Sequence, residues 1–471
     1  MSRLTVPFIG GKHTDRSLQV NGQRSVNWYP SAEGDSAKGV LTLLPTPGLT
    51  TIGATGDGPC RSNFRRFQNS AYFVSGGTLI RMTTGEAFST VGTITTSSGR
   101  CYLAAGRNYL MVVDGVNGYT WDGTTFATIT DPQFPVNPIY CGFIDGYFLV
   151  LDANSEQWQI SAIEDPTAWD ALDFASAEAD PDDAVAIATT TRDAYFIGTT
   201  TTQVYYNSGN PDFPFELYAN GVLELGTNAP GSVASVGGSI FLLAQVEGGS
   251  TTILRLSGFQ AQRIADPDIA YTIGRLAVTS DAQAFAYTED DQTFYEITFP
   301  TANLTLVFHV EQGMWHERQS HGVGRHRVIG HGRFNNKHYV GDYSNNKIYA
   351  LDTTNYTEDG APILRKRIMG AVHREQREIE VNSFEIEFSR GVGLTTGQGS
   401  DPQAMLRTSW DGGRTWSNEM WRPLGQIGDF TRRAIWNRLG QGADFRAELS
   451  ISDPVEAIVV SAYADMDVLS A

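Results

Sequence analysis

A unit of two short apolar strands recurs along the first three quarters of this 471-residue chain, and it restricts the possible folds more than any other feature. Each unit begins with a turn-forming pair of Gly, Asp, Asn or Ser residues, continues with a strand that carries an aromatic residue, and ends with a second strand. Successive aromatic residues are separated by 37, 38, 48, 46, 44 and 54 positions. They are Tyr72, Tyr109, Tyr147, Tyr195, Phe241, Phe285 and Tyr339.

Repeats of about 40–50 residues with several strands each are typical of a β-propeller. One such unit cannot cover both faces of its own sheet, whereas a ring of units covers the faces and leaves few free edges. The sequence therefore predicts an all-β protein with a propeller-like body of six or seven irregular blades. An irregular array of β-sandwiches is the alternative.

The texture of the sequence changes after Asp352, where Arg and Glu become frequent. Residues 355–362 have the composition of a linker, and residues 391–400 that of a loop. Strands are predicted at residues 378–388, 404–409, 432–436, 445–450 and 457–464. We therefore predict an N-terminal segment at 1–60 that can supply a strand to close the propeller, a propeller-like domain at 61–354 and an antiparallel β-sandwich at 355–471.

The formal net charge of −18 is concentrated in the middle of the chain. Residues 140–300 contain 23 Asp and Glu against four Arg and no Lys, a balance of 4 − 23 = −19. Such a surface repels phosphate, so an ordinary grip on nucleic acid is not expected. The section is either a solvated acidic face or a wall along which a polyanion slides without sticking.

The cysteines and the apolar runs indicate where the chain resides. Cys60, Cys101 and Cys141 form no CxxC pair and are odd in number, which favours a reducing compartment. The N-terminus lacks the apolar region of a secretory signal, because Pro7 and glycines interrupt it. No run approaches the roughly 20 apolar residues that span a bilayer. We expect a soluble protein without a membrane partner.

Residues 409–416 read S-W-D-G-G-R-T-W and fit the Asp-box pattern S-x-D-x-G-x-T-W, which resembles a sialidase signature. Asp411 can accept backbone N–H groups across a tight turn that Gly413 permits, while Trp416 packs on the hairpin. In sialidase-like proteins the box recurs on several blades, but it occurs once here, and the Arg-Ile-Pro segment of bacterial sialidases is absent. We predict a structural turn formed by Asp411, Gly413 and Trp416; a carbohydrate-acting or carbohydrate-binding propeller is the alternative function.

Histidines cluster late in the predicted propeller. The segment H-E-R-Q-S-H narrowly misses the zinc-protease pattern H-E-x-x-H, because Ser320 takes the second histidine position. Surface or interface histidines on a hairpin are favoured, with a metal site or pH-dependent contacts as alternatives. The clustered residues are His309, His316, His321, His326, His331 and His338.

Searches for other chemistry give no coherent site. The chain has no phosphate-binding G-x-x-x-x-G-K-[ST], no G-x-S-x-G elbow and no complete G-x-G-x-x-G. The acidic clusters at residues 180–183 and 289–291 lack EF-hand spacing, and we predict that they form turns. A pair of carboxylates that hydrolyses glycosides is the alternative. We predict no catalytic residue, no cofactor and no metal, and hence no enzyme.

Several stretches resemble one family. Residues 25–34 (S-V-N-W-Y-P-S-A-E-G) and 43–49 (L-L-P-T-P-G-L) are similar to the opening of the packaged-DNA stabilisation, or tail hub, proteins of short-tailed bacteriophages. Residues 166–182 and 213–226, and the Arg-rich strand at 432–436, are also like the family. None of these motifs is catalytic.

The resemblance implies a virion structural protein with a propeller-like body. Its expected form is a hexameric ring below the portal and the adaptor ring, which extends the DNA channel and retains packaged DNA until ejection. The implied partners are further copies of the chain, the adaptor and portal, a tail needle, tip or fibre protein, and double-stranded DNA that passes without specific binding. The implied location is the virion tail, assembled in the host bacterial cytoplasm.

Overall fold

Two-residue turns divide this chain into strands. Asp290 and Asp291 have φ of 47° and 60°, and Asn335 and Asn336 have the same two values. Positive φ at both central positions is the geometry of a type I′ turn, whose twist matches that of the strands it connects. Asp and Asn tolerate this backbone better than other residues with a Cβ. Hairpins therefore form where the sequence places these pairs.

The computed structural model describes residues 2–14, 22–36, 39–153, 155–176, 182–246, 249–375 and 377–469. Strands account for most of the described chain, and the helical segments are a short 3₁₀ turn (Pro230–Ser232) and helix α1 (Pro267–Ile273). The strands of the N-terminal segment are β1 (Ser2–Thr5), β2 (His13–Thr14), β3 (Gly22–Val26), β4 (Trp28–Ser36), β5 (Gly39–Pro45) and β6 (Gly48–Ala54).

Four antiparallel sheets of four strands each follow in chain order. Blade 1 has β7 (Arg65–Phe67), β8 (Ser70–Ser75), β9 (Thr78–Thr83) and β10 (Phe88–Thr93). Blade 2 has β11 (Tyr102–Ala105), β12 (Leu110–Val113), β13 (Gly118–Trp121) and β14 (Phe126–Thr128). Blade 3 has β15 (Pro138–Ile144), β16 (Tyr147–Asp152), β17 (Gln157–Ala162) and β18 (Asp165–Ser176). Blade 4 has β19 (Ala184–Thr189), β20 (Asp193–Gly198), β21 (Thr202–Asn207) and β22 (Phe215–Leu223).

Three further sheets complete the propeller. Blade 5 has β23 (Leu225–Gly226), β24 (Ala234–Val236), β25 (Ser239–Val246), β26 (Ser250–Ser257) and β27 (Gln260–Arg263). Blade 6 has β28 (Gln283–Glu289), β29 (Gln292–Phe299), β30 (Leu304–His309) and β31 (Met314–Glu317). Blade 7 has β32 (Val328–Phe334), β33 (Lys337–Asp342) and β34 (Lys347–Asp352), and β6 pairs with β34 as its fourth strand.

Apolar clusters between neighbouring sheets close these seven blades into a ring. Tyr72 and Val74 of blade 1 pack with Leu103 and Leu110 of blade 2, and comparable clusters join each later pair of blades. The last cluster joins blade 7 back to blade 1, where Tyr339 packs with residues that include Phe73. The fold is thus the predicted propeller, with seven blades.

One of the seven repeated aromatic residues, which we call aromatic anchors, lies one strand away from the position that the repeat predicts. The others lie in or beside the second strand from the axis of their blade, whereas Phe285 lies in β28, the first strand of blade 6. Tyr295 in β29 holds the equivalent position. Both strands of this hairpin carry apolar aromatic pairs, so the composition alone does not distinguish them.

Residues 355–362 form a hairpin rather than the predicted linker. They contain β35 (Thr357–Glu358) and β36 (Ala361–Pro362), and β35 pairs with β6 through Glu358 and Leu49. Glu358 is buried. The polar composition that resembles a linker reflects a buried carboxylate with ionic partners, described below.

The C-terminal strands form a sandwich with strands from the N-terminal segment. One sheet has the order β4-β5-β44-β39-β42, with β1 paired to β44. The other sheet continues from blade 6 in the order β31-β3-β37-β43-β40-β41. The contribution of β1, β4 and β5 is not anticipated from the sequence, and the predicted domain boundaries at residues 60 and 354 stay predictions. The C-terminal strands are β37 (Arg365–Ile368), β38 (Val372–His373), β39 (Ile379–Phe388), β40 (Gln403–Ser409), β41 (Met420–Pro423), β42 (Ala434–Gly442), β43 (Asp444–Ile451) and β44 (Val459–Val468).

Buried polar groups fix the N-terminal segment to this sandwich. Trp28 is fully buried and donates its indole N–H to the carbonyl of Ala457 at 2.9 Å. The buried guanidinium of Arg367 donates to the carbonyls of Phe8 and Gly11 at 2.7 and 2.8 Å. Burial lowers the pKa of Arg367 to about 9. Because β3 also pairs with β31 of blade 6, the sandwich and the propeller share one continuous sheet.

Candidate functional site

The innermost strands of the blades surround a cavity of about 550 Å³ on the propeller axis. All seven blades contribute to its wall. Arg65, Arg66 and Arg333 bring positive charge to it, and no Asp or Glu is among its described lining residues. This volume is that of a small-molecule pocket. A DNA duplex therefore has no passage along the axis of a single propeller.

Two of the three cysteines line this cavity. Burial raises the pKa of Cys101 and of Cys141 to about 12, and that of Cys60 to about 11. The thiolate is the nucleophilic form of cysteine. These three thiols are free and stay protonated at neutral pH, so they are inert core residues.

Four charged side chains meet beneath blades 6 and 7, and we call Glu296, Arg318, His326 and Glu358 the ionic junction. Each is at most 2% exposed. His326 Nδ1 lies 2.6 Å from Glu296 Oε1, and His326 Nε2 lies 3.4 Å from Glu358 Oε1. Arg318 lies 3.5 Å from Glu296 and 3.9 Å from Glu358. With His326 protonated, the two positive and two negative charges balance.

The pKa values in the ionic junction shift toward the charged forms. Burial by itself raises the pKa of Glu296, but the charges of His326 and Arg318 outweigh it and the pKa lies below its usual value. The pKa of Glu358 is lowered in the same way, against burial, by His326 and Arg318. Burial and Arg318 lower the pKa of His326, yet its two carboxylate neighbours raise it overall.

The ionic junction connects parts of the chain that are far apart in sequence. Glu296 lies on β29 of blade 6, and Glu358 lies on β35, which pairs with β6. Arg318 also donates to the carbonyl of Pro47 at 2.8 Å, just before β6. The junction therefore holds blade 6, blade 7 and the strand that closes the ring. Its role is structural.

The prediction of surface histidines is wrong for most of the cluster. His309, His316, His326 and His338 are at most 4% exposed, and His321 is the exposed member. The strands of blades 6 and 7 place these side chains between sheets, where aromatic neighbours and backbone carbonyls surround them. His309 Nδ1, for example, lies 3.0 Å from the carbonyl of Pro30. Sequence spacing cannot show which histidines face an inter-sheet space.

His331, which is partly buried, and the buried His338 lie in contact with each other. His331 Nε2 lies 2.8 Å from His338 Nδ1, and His338 Nε2 lies 2.9 Å from Glu289. Burial and the neighbouring His338 lower the pKa of His331 to about 3. None of the six clustered histidines belongs to a group of metal-ligating side chains among the described residues. One group of metal-ligating side chains is present among the described residues, and it includes His13. The sequence does not indicate this group, because the partners of His13 are more than 250 residues away.

The Asp-box turn lies on the sandwich between β40 and β41. Asp411 accepts the backbone N–H of Arg414 at 2.9 Å and of Thr415 at 2.9 and 3.0 Å, and the hydroxyl of Thr415 at 2.6 Å. These bonds, with that from Ser409, hold the pKa of Asp411 well below its usual value. Gly413 has a φ of 87°, and its carbonyl accepts the indole N–H of Trp416 at 3.1 Å. The structure thus brings Asp411, Gly413 and Trp416 together in one turn.

The acidic section forms much of blades 3 to 6. Part of its charge serves local turns: buried Asp182 accepts the backbone N–H groups of Thr199, Thr200 and Thr201 at 2.8–2.9 Å. Residues 180 and 181 of the same cluster lie outside the described residues. Other carboxylates, such as Asp212 and Glu224, are exposed. The outer surface of these blades is therefore strongly negative.

Among the described residues, large apolar side chains with more than half of their surface exposed occur in two regions. On blade 3 and the loop before it, Val136, Ile163 and Leu172 are 66–80% exposed. On the sandwich, Trp421, Ile427 and Phe430 are 54–64% exposed. Exposed apolar groups that lie together mark contact surfaces in many proteins. In the described residues, no helix has the length and apolar character needed to cross a membrane.

Several solved structures match this chain at low sequence identity. PorZ, an essential bacterial surface component of the type-IX secretion system of Porphyromonas gingivalis, matches with 12% identity and a TM-score of 0.39 over 64% of this chain. This chain spans 38% of that protein. The Pan2 WD40 domain of Neurospora crassa matches with 9% identity and a TM-score of 0.44, over 66% of this chain and 97% of that one. The N-terminal domain of Nup159 gives 9% identity and a TM-score of 0.37, over 65% and 97%.

Family models give a specific match. The model described as bacteriophage P22 Gp10, beta-propeller, matches residues 4–356. The model described as bacteriophage P22 Gp10, beta-sandwich, matches residues 365–466. No curated protein sequence matches the chain. The two family models follow the same order as the propeller and the sandwich seen here, and together they cover most of the chain. The chain belongs to the bacteriophage P22 Gp10 family, and it is a structural protein of a phage virion, of the tail hub type.

Proposed function

We propose that the chain is the subunit of a hexameric tail hub or nozzle ring below the portal and the adaptor. The ring extends the DNA channel and retains packaged DNA until ejection. The observation that carries this proposal is the match of both the propeller and the sandwich to one phage tail family. The distal partner is a tail needle, tip or fibre protein, and the subunits assemble in the host cytoplasm before joining the virion tail.

A stiff subunit suits this role. The sheet of blade 6 continues through β3 into the sandwich, and the ionic junction fixes the closing strand of the propeller at the same place. Because one sheet runs through both parts, a hinge between them would break strand pairing. A ring of such subunits resists the pressure of packaged DNA without changing shape.

The acidic surface supports passage of DNA without binding. The axis of each propeller is too small for a duplex, so the DNA channel must lie between subunits of the ring. Carboxylates that face such a channel repel phosphates and release no counterions on contact. The duplex then slides past the wall instead of adhering to it.

The two exposed apolar regions support ring formation. Neighbouring subunits in a ring meet through two different surfaces of the same chain. We assign the surface at Leu172 on blade 3 and the surface at Phe430 on the sandwich to the two sides of this contact. Both residues project apolar side chains with more than half of their surface exposed.

Assembly of the purified chain on portal–adaptor complexes tests the proposal. The wild-type chain is expected to add a ring of about 0.3 MDa, six copies of a 51.4 kDa chain, by native mass spectrometry. Leu172→Asp and Phe430→Asp are each expected to abolish the ring without lowering the melting temperature, because both side chains are exposed. Val278→Asp, at another exposed apolar position, is the matched control and should assemble normally.

DNA retention supplies the functional readout. Filled capsids with the wild-type ring are expected to protect their DNA from added nuclease, and capsids with either ring-blocking variant to lose it. A chain that stays monomeric beside portal and adaptor, or capsids that retain DNA equally well without it, would overturn the proposal.

A further inference from the structure

Three side chains with metal-ligating atoms converge where the N-terminal segment lies against helix α1. His13 is on β2, Asp266 precedes α1, and Asp268 lies in its first turn. One ligand atom from each lies within 4.8 Å of the other two. His13 Nδ1 is 3.7 Å from Asp268 Oδ1. The three residues come from two segments more than 250 positions apart, so the fold itself creates this group.

One oxygen of this group lacks a partner in an otherwise satisfied environment. The Asp268 side chain is 0% exposed. Its Oδ2 accepts the backbone N–H of Thr14 at 3.1 Å and lies 3.5 Å from Lys12 Nζ. Its Oδ1 accepts no hydrogen bond from any described residue. A buried carboxylate oxygen without a donor is costly, and this one faces the imidazole of His13.

The carboxylate of Asp266 adds negative charge that a bound cation would balance. Asp266 is half-buried, and its pKa is raised by burial and by the charge of Asp268. Lys12 neutralises only one negative charge and lies on the Oδ2 side of Asp268. The space between His13, Asp266 and Asp268 Oδ1 therefore combines two carboxylates with one imidazole.

We propose that His13, Asp266 and Asp268 bind a divalent transition-metal ion, and that Zn²⁺ fits this donor set best. Zinc takes imidazole nitrogen at about 2.0–2.1 Å and carboxylate oxygen at about 2.0–2.2 Å. Tetrahedral coordination with those bonds separates the ligand atoms by about 3.4 Å. A separation of 4.8 Å closes to this value when the two ligand atoms together move by about 1.4 Å, and a water completes the coordination.

The bound ion connects the N-terminal segment to the propeller. β2 pairs with β3, which belongs to the sheet shared by blade 6 and the sandwich. Helix α1 lies in the connection between blades 5 and 6. Binding the ion thus adds a cross-link between the N-terminal segment and the propeller. This inference is independent of the proposed role in the tail.

Metal titration of the full-length, chelator-stripped chain tests the site. Isothermal titration with Zn²⁺ is expected to give one saturable site per chain, with a rise in melting temperature. Co²⁺ in place of Zn²⁺ is expected to give the visible absorption of a low-symmetry, four-coordinate ion. His13→Ala and Asp266→Asn are each expected to weaken binding by at least about tenfold. Lys12→Met is expected to strengthen it, because a nearby positive charge is removed.

His321→Ala is the matched control, since His321 is exposed and outside the group. Circular dichroism establishes that each variant is folded before titration, and the Co²⁺ spectrum of the wild-type chain gives a result that does not depend on any variant. Binding of equal strength in the wild-type chain, His13→Ala and Asp266→Asn, or no saturable binding at millimolar Zn²⁺, would overturn the proposal. So would a wild-type Co²⁺ spectrum of a hexahydrated ion.

Discussion

Different interactions stabilise two boundaries of the propeller, the one between blades 3 and 4 and the one between blades 6 and 7. At the first, Trp158 stacks on Phe196 with ring centroids 3.9 Å apart, inside a large apolar cluster. At the second, an apolar cluster is supplemented by the ionic junction of Glu296, Arg318, His326 and Glu358. The first boundary joins two blades that are each formed by consecutive strands of the chain. At the second boundary, blade 7 also includes β6, a strand of the N-terminal segment.

This difference indicates what buried charges do in this fold. Apolar packing is non-directional and tolerates alternative arrangements of similar shape. Paired buried charges are satisfied in one arrangement only, and breaking a pair is costly. The ionic junction therefore specifies how the ring closes, where β6 of the N-terminal segment joins blade 7 out of chain order.

Arg318→Met removes one of the two cations that balance the carboxylates of Glu296 and Glu358. We expect the free energy of unfolding of the propeller to fall by about 3–5 kcal/mol, because an uncompensated negative charge stays buried. Urea unfolding followed by tryptophan fluorescence measures the change. Arg192→Met, at an exposed arginine, is the control and should change stability by less than about 0.5 kcal/mol. A fall of similar size in both variants would refute the role of the junction.

The pH dependence of stability separates two histidines of opposite behaviour, His331 and His326. The pKa of His331 is lowered to about 3 in the folded chain, so only the unfolded chain takes up this proton as pH falls below about 6.5. We expect His331→Gln to gain about 2 kcal/mol relative to the wild type between pH 8 and pH 5.

His326 is expected to show the reverse trend. Its pKa is raised in the folded chain, so its contribution is fully present below the unfolded value of about 6.5 and is lost as pH rises through the folded value. The destabilisation caused by His326→Gln should therefore be larger at pH 6 than at pH 9. Urea midpoints of the two variants measured over pH 5–9 give both trends, and parallel curves would contradict the assignment.

At the apolar boundary, Phe196→Leu is expected to cost about 1.5 kcal/mol, since it loses the stacking on Trp158 but keeps most of the volume. The cost should be the same at pH 5 and pH 9, because the rings packed around this stack are those of Tyr205, Phe213 and Phe215, and none of them carries a carboxyl or imidazole group. A cost that changes with pH would show that the two boundaries do not differ in the way described here.

The smallest effect is expected at the Asp-box turn. Asp411→Ala removes the acceptor for the N–H groups of Arg414 and Thr415. These groups are exposed to water, so we expect the melting temperature of the sandwich to fall by only a few degrees, and propeller blades 1–7 to be unaffected. Differential scanning calorimetry measures this shift. Unchanged melting together with the loss of a glycan-cleaving activity would favour the carbohydrate-acting alternative.

The propeller could be predicted from the sequence because hairpin turns and aromatic strands are local signals. Asp290–Asp291 and Asn335–Asn336 mark their turns within a few residues, and six of the seven aromatic anchors predict the correct strand. The family resemblance likewise depends on short stretches that can be read directly.

The remaining features arise from contacts between distant segments. The pairing of β1, β4 and β5 with the C-terminal strands, the burial of Glu358, and the approach of His13 to Asp268 each join residues hundreds of positions apart. No periodicity carries such information. The polar composition of residues 355–362 even pointed away from the buried hairpin that they form.

A cryo-electron microscopy reconstruction of the virion at the head–tail junction tests the central claim most directly. We expect a ring of seven-bladed propellers below the adaptor, each rigidly joined to its sandwich, with the duplex between subunits and outside every propeller axis. A map in which this chain is absent from the tail, or in which the propeller and the sandwich take independent orientations, would contradict it.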